Sequence, residues 1–336
     1  MTRTIEAAGS TPPSEPGRDP RDPVSLMSSS DRNAPETPAP PGAGVSRSWG
    51  SPLATASPRP WRAGDRTLGG DRPLLMGILN VTPDSFHDGG RHSGLDLALR
   101  HAGEMLAAGA DIIDVGGESS RPGADPVPEA DELARTRPVV RAIVRRFACA
   151  VSIDTVKSAV ARAALEEGAC IVNDISAMTF DPLMLEVPQG FRAGVVLNHI
   201  QGRPKDMQTR PSYLDAVAEV SGFLKSRIQL LAAVGIAKDR IAVDPGIGFG
   251  KRLEDNYRLI DRMEALDALG CPILLGMSRK SMIGKTPGLE QSDRLIPSVA
   301  LALLAALKGA SILRVHDVRE TREALAMVAA VRGMGG

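Results

Sequence analysis

The sequence is poor in aromatic residues and cysteine, and it carries no net charge. Its three cysteines include no Cys-x-x-Cys pair, which excludes a disulfide framework and favours a reducing compartment, so we expect a cytoplasmic protein. The 40 basic and 40 acidic residues exclude the broadly basic surface that binds nucleic acid or anionic membranes. No apolar run approaches the roughly 18 residues of a membrane-spanning helix. We therefore expect neither nucleic-acid nor membrane partners.

The first 70 residues differ in composition from the rest of the chain. They hold 12 of the 26 prolines and both tryptophans, Trp49 and Trp61, but almost no Leu, Ile, Val or Phe. Such a stretch buries too little apolar surface to offset the entropy of ordering, so residues 1–70 are predicted to be a disordered Pro-rich extension. A dispensable tail or misassigned start, an interaction arm and a targeting segment remain open, although the acidic residues argue against a transit peptide.

From residue 71 to residue 336, short apolar runs alternate with amphipathic helical patterns. The predicted strands are 74–79, 111–115, 150–153, 170–172, 193–197, 241–243, 272–275 and 312–315. The predicted helices are 95–108, 129–147, 157–167, 182–187, 213–233, 252–269, 294–308 and 318–331. Eight of each predict a single (β/α)8 TIM barrel, which typically takes roughly 250 residues. An open doubly wound sheet is the alternative, but no Gly-x-Gly-x-x-Gly turn follows the first strand.

Polar residues follow nearly every predicted strand, where the active sites of such barrels lie. An Asp at this place is often only a helix cap, but caps do not require Lys, Arg and His as well. Asp154, Asn173 and Asp244 are suited to bind the N–H and mixed edges of a flat heterocycle. Asp114, which ends the second strand, is expected to support the site rather than bind a ligand.

A second group of polar residues is suited to phosphate. Lys280, Arg314 and His316 come from the last two strands and the residues just after them, where barrels commonly hold phosphate groups. Asn80 and Asp88 offer hard oxygen ligands for Mg²⁺, which usually keeps several waters and bridges a phosphate. The two groups together predict a planar ring held deep in the barrel, with a phosphorylated arm pointing outward.

Seven motifs in this order resemble those of the dihydropteroate synthases, over about residues 73 to 332. They are GILNVTPDSF, ESSRPGA, SIDT, NDIS, DPGIGFGK, SRKSMIG and RVHD. The resemblance implies a Mg²⁺-dependent transferase of folate biosynthesis and a sulfonamide target. This enzyme joins 6-hydroxymethyl-7,8-dihydropterin diphosphate to p-aminobenzoate, and it yields 7,8-dihydropteroate and diphosphate. The resemblance also implies a homodimer formed through barrel helices.

The resemblance assigns roles to individual residues of this sequence. The implied pterin ligands are Asp154, Asn173, Asp244 and Lys280. The implied p-aminobenzoate contacts are Phe86, Ser120, Arg121, Pro122, Phe249 and Ser281. The implied diphosphate ligands are Asn80, Arg121, Arg314 and His316, with Asn80 also at the metal. The implied catalytic residues are Asp88, Arg314 and His316, of which Asp88 would give electrostatic support to a developing cation.

Two long loops and four departures from the family pattern are expected to affect the site. Loop one (residues 80–94) and loop two (residues 116–128) are predicted to be lids that are poorly ordered without ligand. The departures are Ser120 for Thr, His87 for Ser, Asn198 for Met and Ala177 for Gly. Asn198 is expected either to face the pocket or to bind backbone.

Two other functions remain to be weighed. A corrinoid-linked pterin methyltransferase has a similar Asp/Asn pocket, but it needs neither the SRKS and RVHD pair nor the arylamine loops. A non-catalytic paralogue should have lost Lys280, Arg314, His316 or Asp88, and this sequence keeps all four.

Overall fold

The computed structural model describes residues 58–81, 90–291 and 293–333, without the side chains of residues 90–93. Two short strands form a hairpin, β1 (Trp61–Ala63) and β2 (Arg66–Leu68). The remaining strands are β3 (Leu74–Asn80), β4 (Ile112–Gly116), β5 (Ala150–Asp154), β6 (Ile171–Asp174), β7 (Gly194–Asn198), β8 (Ile241–Asp244), β9 (Leu274–Leu275) and β10 (Ile312–Val315). The α-helices of the described residues are α1 (Gly90–Ala107), α2 (Glu129–Arg146), α3 (Ser158–Glu166), α4 (Val187–Gly190), α5 (Ala216–Ala233), α6 (Leu253–Asp261), α7 (Ser281–Gly284), α8 (Leu295–Leu307) and α9 (Val318–Val331).

Strands β3 to β10 form one parallel sheet that closes on itself. Its order is β8-β7-β6-β5-β4-β3-β10-β9, and a parallel bridge between Val243 and Ile273 joins the two ends. The predicted TIM barrel is thus confirmed, and the open doubly wound sheet is wrong. Each of the eight predicted strands is present, but β9 is only two residues long. None of the helices in the described part of the chain is both long and apolar enough to span a membrane.

The inside of the barrel is apolar at one end and polar at the other. Side chains alternate along a strand, so every second residue points inward. The lower interior layer is apolar and comprises Leu74, Met76, Ile112, Ala150, Ile171, Val196, Ala242, Leu274 and Ile312. Two residues further along β4, β6 and β10, the same inward positions carry Asp114, Asn173 and Arg314. The strand period therefore places the polar groups at the carboxyl-terminal mouth.

The amino-terminal end of the barrel is closed by the β1–β2 hairpin. Trp61 is fully buried against the lower interior layer, and its Nε1 donates to the carbonyl of Arg240 at 2.8 Å. Gly194 in β7 leaves room for this ring, because a Cβ there would lie 3.1 Å from Trp61 Cζ2. The prediction of disorder up to residue 70 is therefore wrong for residues 58–70. The prediction rested on the average composition of residues 1–70, which does not account for the large apolar area that the single Trp61 ring buries. Residues 1–57 lie outside the described residues.

Most predicted helices are confirmed, and their ends follow local backbone chemistry. Four glycines that follow helices, Gly109, Gly168, Gly235 and Gly270, all have positive φ. The helix predicted over 252–269 is two elements, α6 and a 3₁₀ helix over Met263–Leu269. Helix α1 begins at Gly90, so residues 90–94 belong to a helix rather than to loop one.

Candidate functional site at the carboxyl ends of the strands

Four neighbouring strands end in register at the mouth of the barrel. Asn80 pairs with Gly116, Gly116 with Asp154, and Asp154 with Asn173. Gly116 has no side chain, and a Cβ there would lie 3.5 Å from the Cβ of Asp154. Three of the predicted ligands are thus placed side by side by strand pairing alone.

Arg314 joins two carboxylates at the strand ends, those of Asp114 and Asp154. Its Nε lies 2.7 Å from Asp114 Oδ2, and its Nη2 lies 2.6 Å from Asp154 Oδ2. Asn173 Nδ2 also donates to Asp114 Oδ2, at 3.1 Å. Asp114 is completely buried, so it supports the guanidinium and the amide, as predicted. We call these four residues the strand-end network.

Burial and neighbouring opposite charges have opposite effects on the pKa values of the strand-end network. Burial raises the pKa of Asp154 to about 7, and Arg314 opposes the shift while Asp114 and Glu132 reinforce it. The pKa of Arg314 is raised above its ordinary value by its two carboxylates, against the effect of burial. The guanidinium therefore stays charged, and Asp154 can change protonation near neutral pH.

Lys280 and Asp244 lie on the other side of the mouth. Lys280 Nζ donates to the carbonyl of Ile247 and lies 3.9 Å from the centroid of the Phe249 ring. Asp244 Oδ1 accepts from the amide of Gly246 at 2.7 Å. Burial lowers the pKa of Lys280 to about 8 and raises the pKa of Asp244. The structure thus brings a cation, a carboxylate and an aromatic face together.

His316 is neutral at pH 7 in this arrangement. Burial lowers its pKa to about 4, with a further contribution from the charges of Arg314 and Arg279. Its Nδ1 lies 3.0 Å from Ser278 Oγ, and that oxygen accepts from the His316 amide at 3.2 Å. A hydroxyl that donates to Nδ1 leaves the proton on Nε2, so His316 can donate a hydrogen bond to an anion.

Two of the four predicted diphosphate ligands, Asn80 and His316, line one cavity. Asn80, Arg279 and His316 line a cavity of about 530 Å³ beside α1. Arg121 is close enough to His316 for its charge to lower the pKa of the imidazole. Arg279 is exposed and paired with Asp317.

Asn80 can contribute to a Mg²⁺ site only as one of a few ligands. Its side chain is exposed at the mouth, and Mg²⁺ commonly takes one or two protein oxygens together with water and phosphate. No cluster of three or more His, Cys, Asp or Glu side chains suited to a metal occurs in the described residues. The donor set of the described residues thus fits a metal held jointly with a phosphorylated substrate, and does not fit a protein-only metal cage.

The predicted p-aminobenzoate contacts are only partly assembled in the described residues. Phe249 packs with Ile175 and Met207, and Ser120 lines a small cavity with Asp154. Arg121, Pro122 and Ser281 are exposed. Phe86, His87 and Asp88 lie outside the described residues.

Loop two is attached at its base to a buried salt-bridge cluster. Lys157 Nζ lies 2.6 Å from Glu118 Oε2 and also contacts Glu132. The same Glu118 oxygen accepts from the Val127 amide at 2.7 Å, which joins the two ends of the loop. The mobility of loops one and two stays a prediction.

Two of the four departures from the family pattern have a clear local environment. Asn198 is buried and its Nδ2 donates to the carbonyl of Ile175 at 2.8 Å, so it binds backbone, which is one of the two expected alternatives. Ala177 has φ +52°, a conformation that favours glycine, and its carbonyl accepts from Arg227 Nε at 2.8 Å.

Several buried residues near the mouth were missed by the sequence reasoning. Lys251 and His199 lie in contact beneath the Phe249 loop, and Gln208 and Asn256 bind the same loop. The sequence signals were the final lysine of DPGIGFGK, to which no role was assigned, His199 after the fifth predicted strand, and Gln208, which was expected only to cap a loop.

Comparison with known proteins identifies close relatives. Residues 76–316 match the family described as pterin binding enzyme. The dihydropteroate synthase of Escherichia coli K12 is 49% identical over 258 residues, which cover 77% of this chain and 91% of that protein.

Two solved structures share the fold of this chain. One is the Yersinia pestis dihydropteroate synthase in complex with a sulfonamide drug, at 47% identity and a TM-score of 0.76, with 82% of this chain and 100% of that chain covered. The other is the Burkholderia cenocepacia dihydropteroate synthase with 7,8-dihydropteroate, at 44% identity and a TM-score of 0.75, with 83% and 98% covered.

Proposed function

Since this chain belongs to the dihydropteroate synthases, a family of pterin-binding enzymes, we propose that it joins 6-hydroxymethyl-7,8-dihydropterin diphosphate to p-aminobenzoate. The products are 7,8-dihydropteroate and diphosphate. The observation that carries the proposal is the single mouth in which Asp154, Asn173 and Asp244 face a set of cations, with Phe249 beside Lys280. A transferase of this kind needs a ring site, an anion site and an arylamine site side by side.

The pterin ring is held by the strand-borne groups. Asp244 accepts from the N–H edge of the ring, Asn173 binds the mixed donor and acceptor edge, and Lys280 donates to a ring acceptor. Asp154 completes the set, and Arg314 keeps it in place through the 2.6 Å contact. The pterin ring thus binds to polar side chains that are already oriented before it arrives, and it displaces the water around them.

The bond from the CH₂ carbon to the diphosphate oxygen breaks as the arylamine nitrogen forms its bond to the same carbon. The electron-rich dihydropterin supports the developing cation, so bond breaking leads. Arg314, Arg121 and the neutral His316 stabilise the leaving diphosphate, and one such donor is worth roughly 2.7–4 kcal/mol. The arylamine is neutral at pH 7 and loses its proton to solvent after attack, so no strong general base is required.

We assign Mg²⁺ to this site as a substrate-linked ion. Asn80 would hold it together with the diphosphate, and Asp88 is the further oxygen ligand or electrostatic support named by the sequence. The ion supplies neutralisation of the leaving charge. Arg314 and His316 orient the same diphosphate independently of it.

The assembly and location follow from the same premise. We propose a homodimer formed through barrel helices, which analytical ultracentrifugation of the full chain tests. We also propose a cytoplasmic location, supported by three cysteines without disulfide partners. Sulfonamides, as p-aminobenzoate analogues, are proposed to compete at the arylamine site, with a rise in apparent KM for p-aminobenzoate as the test.

The deciding experiment is an assay of the full chain with both substrates and Mg²⁺. We expect one diphosphate released for each dihydropteroate formed, and loss of turnover when EDTA is added. A preparation that binds the dihydropterin but makes no dihydropteroate would contradict the proposal and favour a non-catalytic pterin-binding protein. Transfer of a methyl group from a methylated pterin to a corrinoid would favour the methyltransferase instead.

A further inference from the structure

The segment that follows β8, residues 245–251, is held by side chains from two other parts of the fold and by its own Lys251. We call it the glycine loop, because Gly246, Gly248 and Gly250 all have positive φ. Four consecutive carbonyls, those of residues 247 to 250, each accept a side-chain hydrogen bond. The donors, in that order, are Lys280 Nζ, Gln208 Nε2, Lys251 Nζ and the Tyr213 hydroxyl.

The glycine loop also lies in direct contact with the chain after β7. A Cβ on Gly246 would lie 1.9 Å from the carbonyl oxygen of His199. A Cβ on Gly250 would lie 2.1 Å from the carbonyl oxygen of Gln201. Two glycines therefore let two backbones meet with no side chain between them.

Lys251 joins these two backbones. Its Nζ lies 3.0 Å from His199 Nδ1, 3.2 Å from the His199 carbonyl oxygen and 3.0 Å from the Phe249 carbonyl oxygen. An ammonium group has three N–H donors, and here it meets three acceptors. Burial lowers the pKa of His199 to about 3, so the imidazole is neutral and its Nδ1 can accept.

The need to fill a buried volume does not explain why residue 251 is a lysine. Its side chain is 2% exposed, and burial lowers its pKa to about 7. Asp244 and Asp255 favour its charged form through space, and Lys280 opposes it. A methionine would fill much of the same volume without a cost of desolvation. Only the lysine can donate hydrogen bonds to the carbonyls of both His199 and Phe249, and so join the two backbones.

We propose that Lys251 is a positioning residue for the arylamine substrate. It holds the Phe249 carbonyl, and thereby keeps the Phe249 ring beside the Lys280 ammonium where the arylamine is received. The inference rests on the proposed function for the identity of the substrate. Lys251 itself contacts neither the pterin ligands of the strand ends nor the leaving-group cations. The glycine loop reaches the pterin ligands only through the Gly246 amide on Asp244 and the Ile247 carbonyl on Lys280, so we expect a large effect on the arylamine and a small one on the pterin.

The test is Lys251→Met in the full chain, compared with Lys308→Met as the matched control. Lys308 also donates to a backbone carbonyl, that of Asp261 at the end of α6, at 2.5 Å. For Lys251→Met we expect about a tenfold rise in KM for p-aminobenzoate, with the KM for the dihydropterin diphosphate and kcat changed less than threefold. For Lys308→Met we expect both KM values to stay within twofold of the original chain. An equal rise in both KM values, or no rise in either, would overturn the proposal.

Hydrogen exchange separates this inference from the proposed function, because it needs no substrate. The amides of Gly246, Gly248 and Phe249 are bonded to Asp244, Asn256 and the Gly246 carbonyl. In Lys251→Met we expect these amides to exchange at least tenfold faster, whereas those of β6 stay unchanged. Unchanged exchange in the glycine loop overturns the inference even if the enzyme is active. If the original chain makes no dihydropteroate, the proposed function fails, and exchange still decides whether Lys251 holds the loop.

A second variant decides the matter if Lys251→Met does not fold. His199→Phe keeps an aromatic ring against Phe223, whose ring centroid lies 4.9 Å from that of His199, and removes both ring nitrogens, including the Nδ1 that accepts from Lys251. We expect a smaller rise of about threefold in KM for p-aminobenzoate, with the pterin KM unchanged. Unchanged KM values together with unchanged exchange in the glycine loop overturn the proposal.

Discussion

The two halves of the mouth are built in different ways. On the side proposed to hold the pterin, Asp154, Asn173 and Arg314 project from strands and are fixed by register and by buried ion pairs. On the side proposed to receive the arylamine, Phe249 lies on a loop whose position depends on side chains that bind its carbonyls. The first half is held by the barrel strands, whereas the second is held by side chains that bind a loop. Changes in the first should therefore cost stability and all activity, and changes in the second should cost mainly arylamine affinity.

The largest effect is expected for Arg314→Met. It leaves Asp114 and Asp154 buried without their cation, which costs about 3–5 kcal/mol of unfolding free energy at pH 8. We expect kcat/KM to fall at least about a hundredfold. Because the raised pKa of Asp154 lets that carboxylate take up a proton at pH 5.5, the cost in urea unfolding should be smaller at pH 5.5 than at pH 8.

Arg279→Met is the control for that variant. Arg279 lies at the same mouth, but its pair with Asp317 is half exposed, so it should cost only about 0–1 kcal/mol. Similar costs for the two variants would remove the distinction between a buried network and a surface pair.

A large but selective effect is expected for Gly246→Ala. The added Cβ would meet the His199 carbonyl at 1.9 Å, so the glycine loop must move, at a cost of about 1–3 kcal/mol in backbone strain alone. We expect KM for p-aminobenzoate to rise more than tenfold. The pterin dissociation constant, measured by calorimetry, should rise by a smaller factor, because the Gly246 amide bonds to Asp244.

Gly123→Ala is its matched control. Gly123 also has positive φ, +82°, but nothing lies within 4 Å of its Cβ position. It should cost about 1 kcal/mol and leave the KM for p-aminobenzoate within about threefold. If Gly246→Ala weakened pterin binding as strongly as arylamine binding, the two halves would not be independent.

A moderate effect is expected from pH, through Lys280, which borders both halves. Its pKa of about 8 means that it is charged below pH 8 and loses its proton above it. The KM for the dihydropterin diphosphate should therefore rise between pH 7 and pH 9.5. Lys280→Arg should remove that rise, because a guanidinium stays charged, although its absolute KM will be higher. A parallel pH profile for the variant would contradict this assignment.

The smallest effect is expected for Ser120→Thr. The added methyl group restores the residue that is common in the family and adds contact in the cavity shared with Asp154. We expect KM for p-aminobenzoate to fall about two- to threefold, since one half-buried methyl group is worth a fraction of about 0.8 kcal/mol. An increase in this KM would show that the cavity has no room for the group.

The sequence predicted the strand-borne half of the site well, for a physical reason. Alternation along parallel strands fixes which residues face the barrel interior, so the sequence alone places Asp154, Asn173 and Arg314 together. The glycine loop could not be placed in this way. The contacts of Lys251 with His199 and of Gln208 with Gly248 join residues 52 and 40 positions apart, and no periodic pattern specifies them. The β1–β2 hairpin was not predicted for the same reason, since Trp61 is buried by contacts with residues far along the chain that a Pro-rich local composition does not indicate.

The β1–β2 hairpin has a consequence for the order in which the chain assembles. Its Trp61 binds Arg240, 179 residues later, and its Gly64 amide binds the carbonyl of Arg192. A ribosome therefore releases the hairpin long before its partners exist, and contacts of such sequence separation form slowly. We expect the earliest described strands of the chain to dock last, when β7 and β8 have been made. A truncation that begins after residue 70 would then leave the floor of a completed barrel open to water.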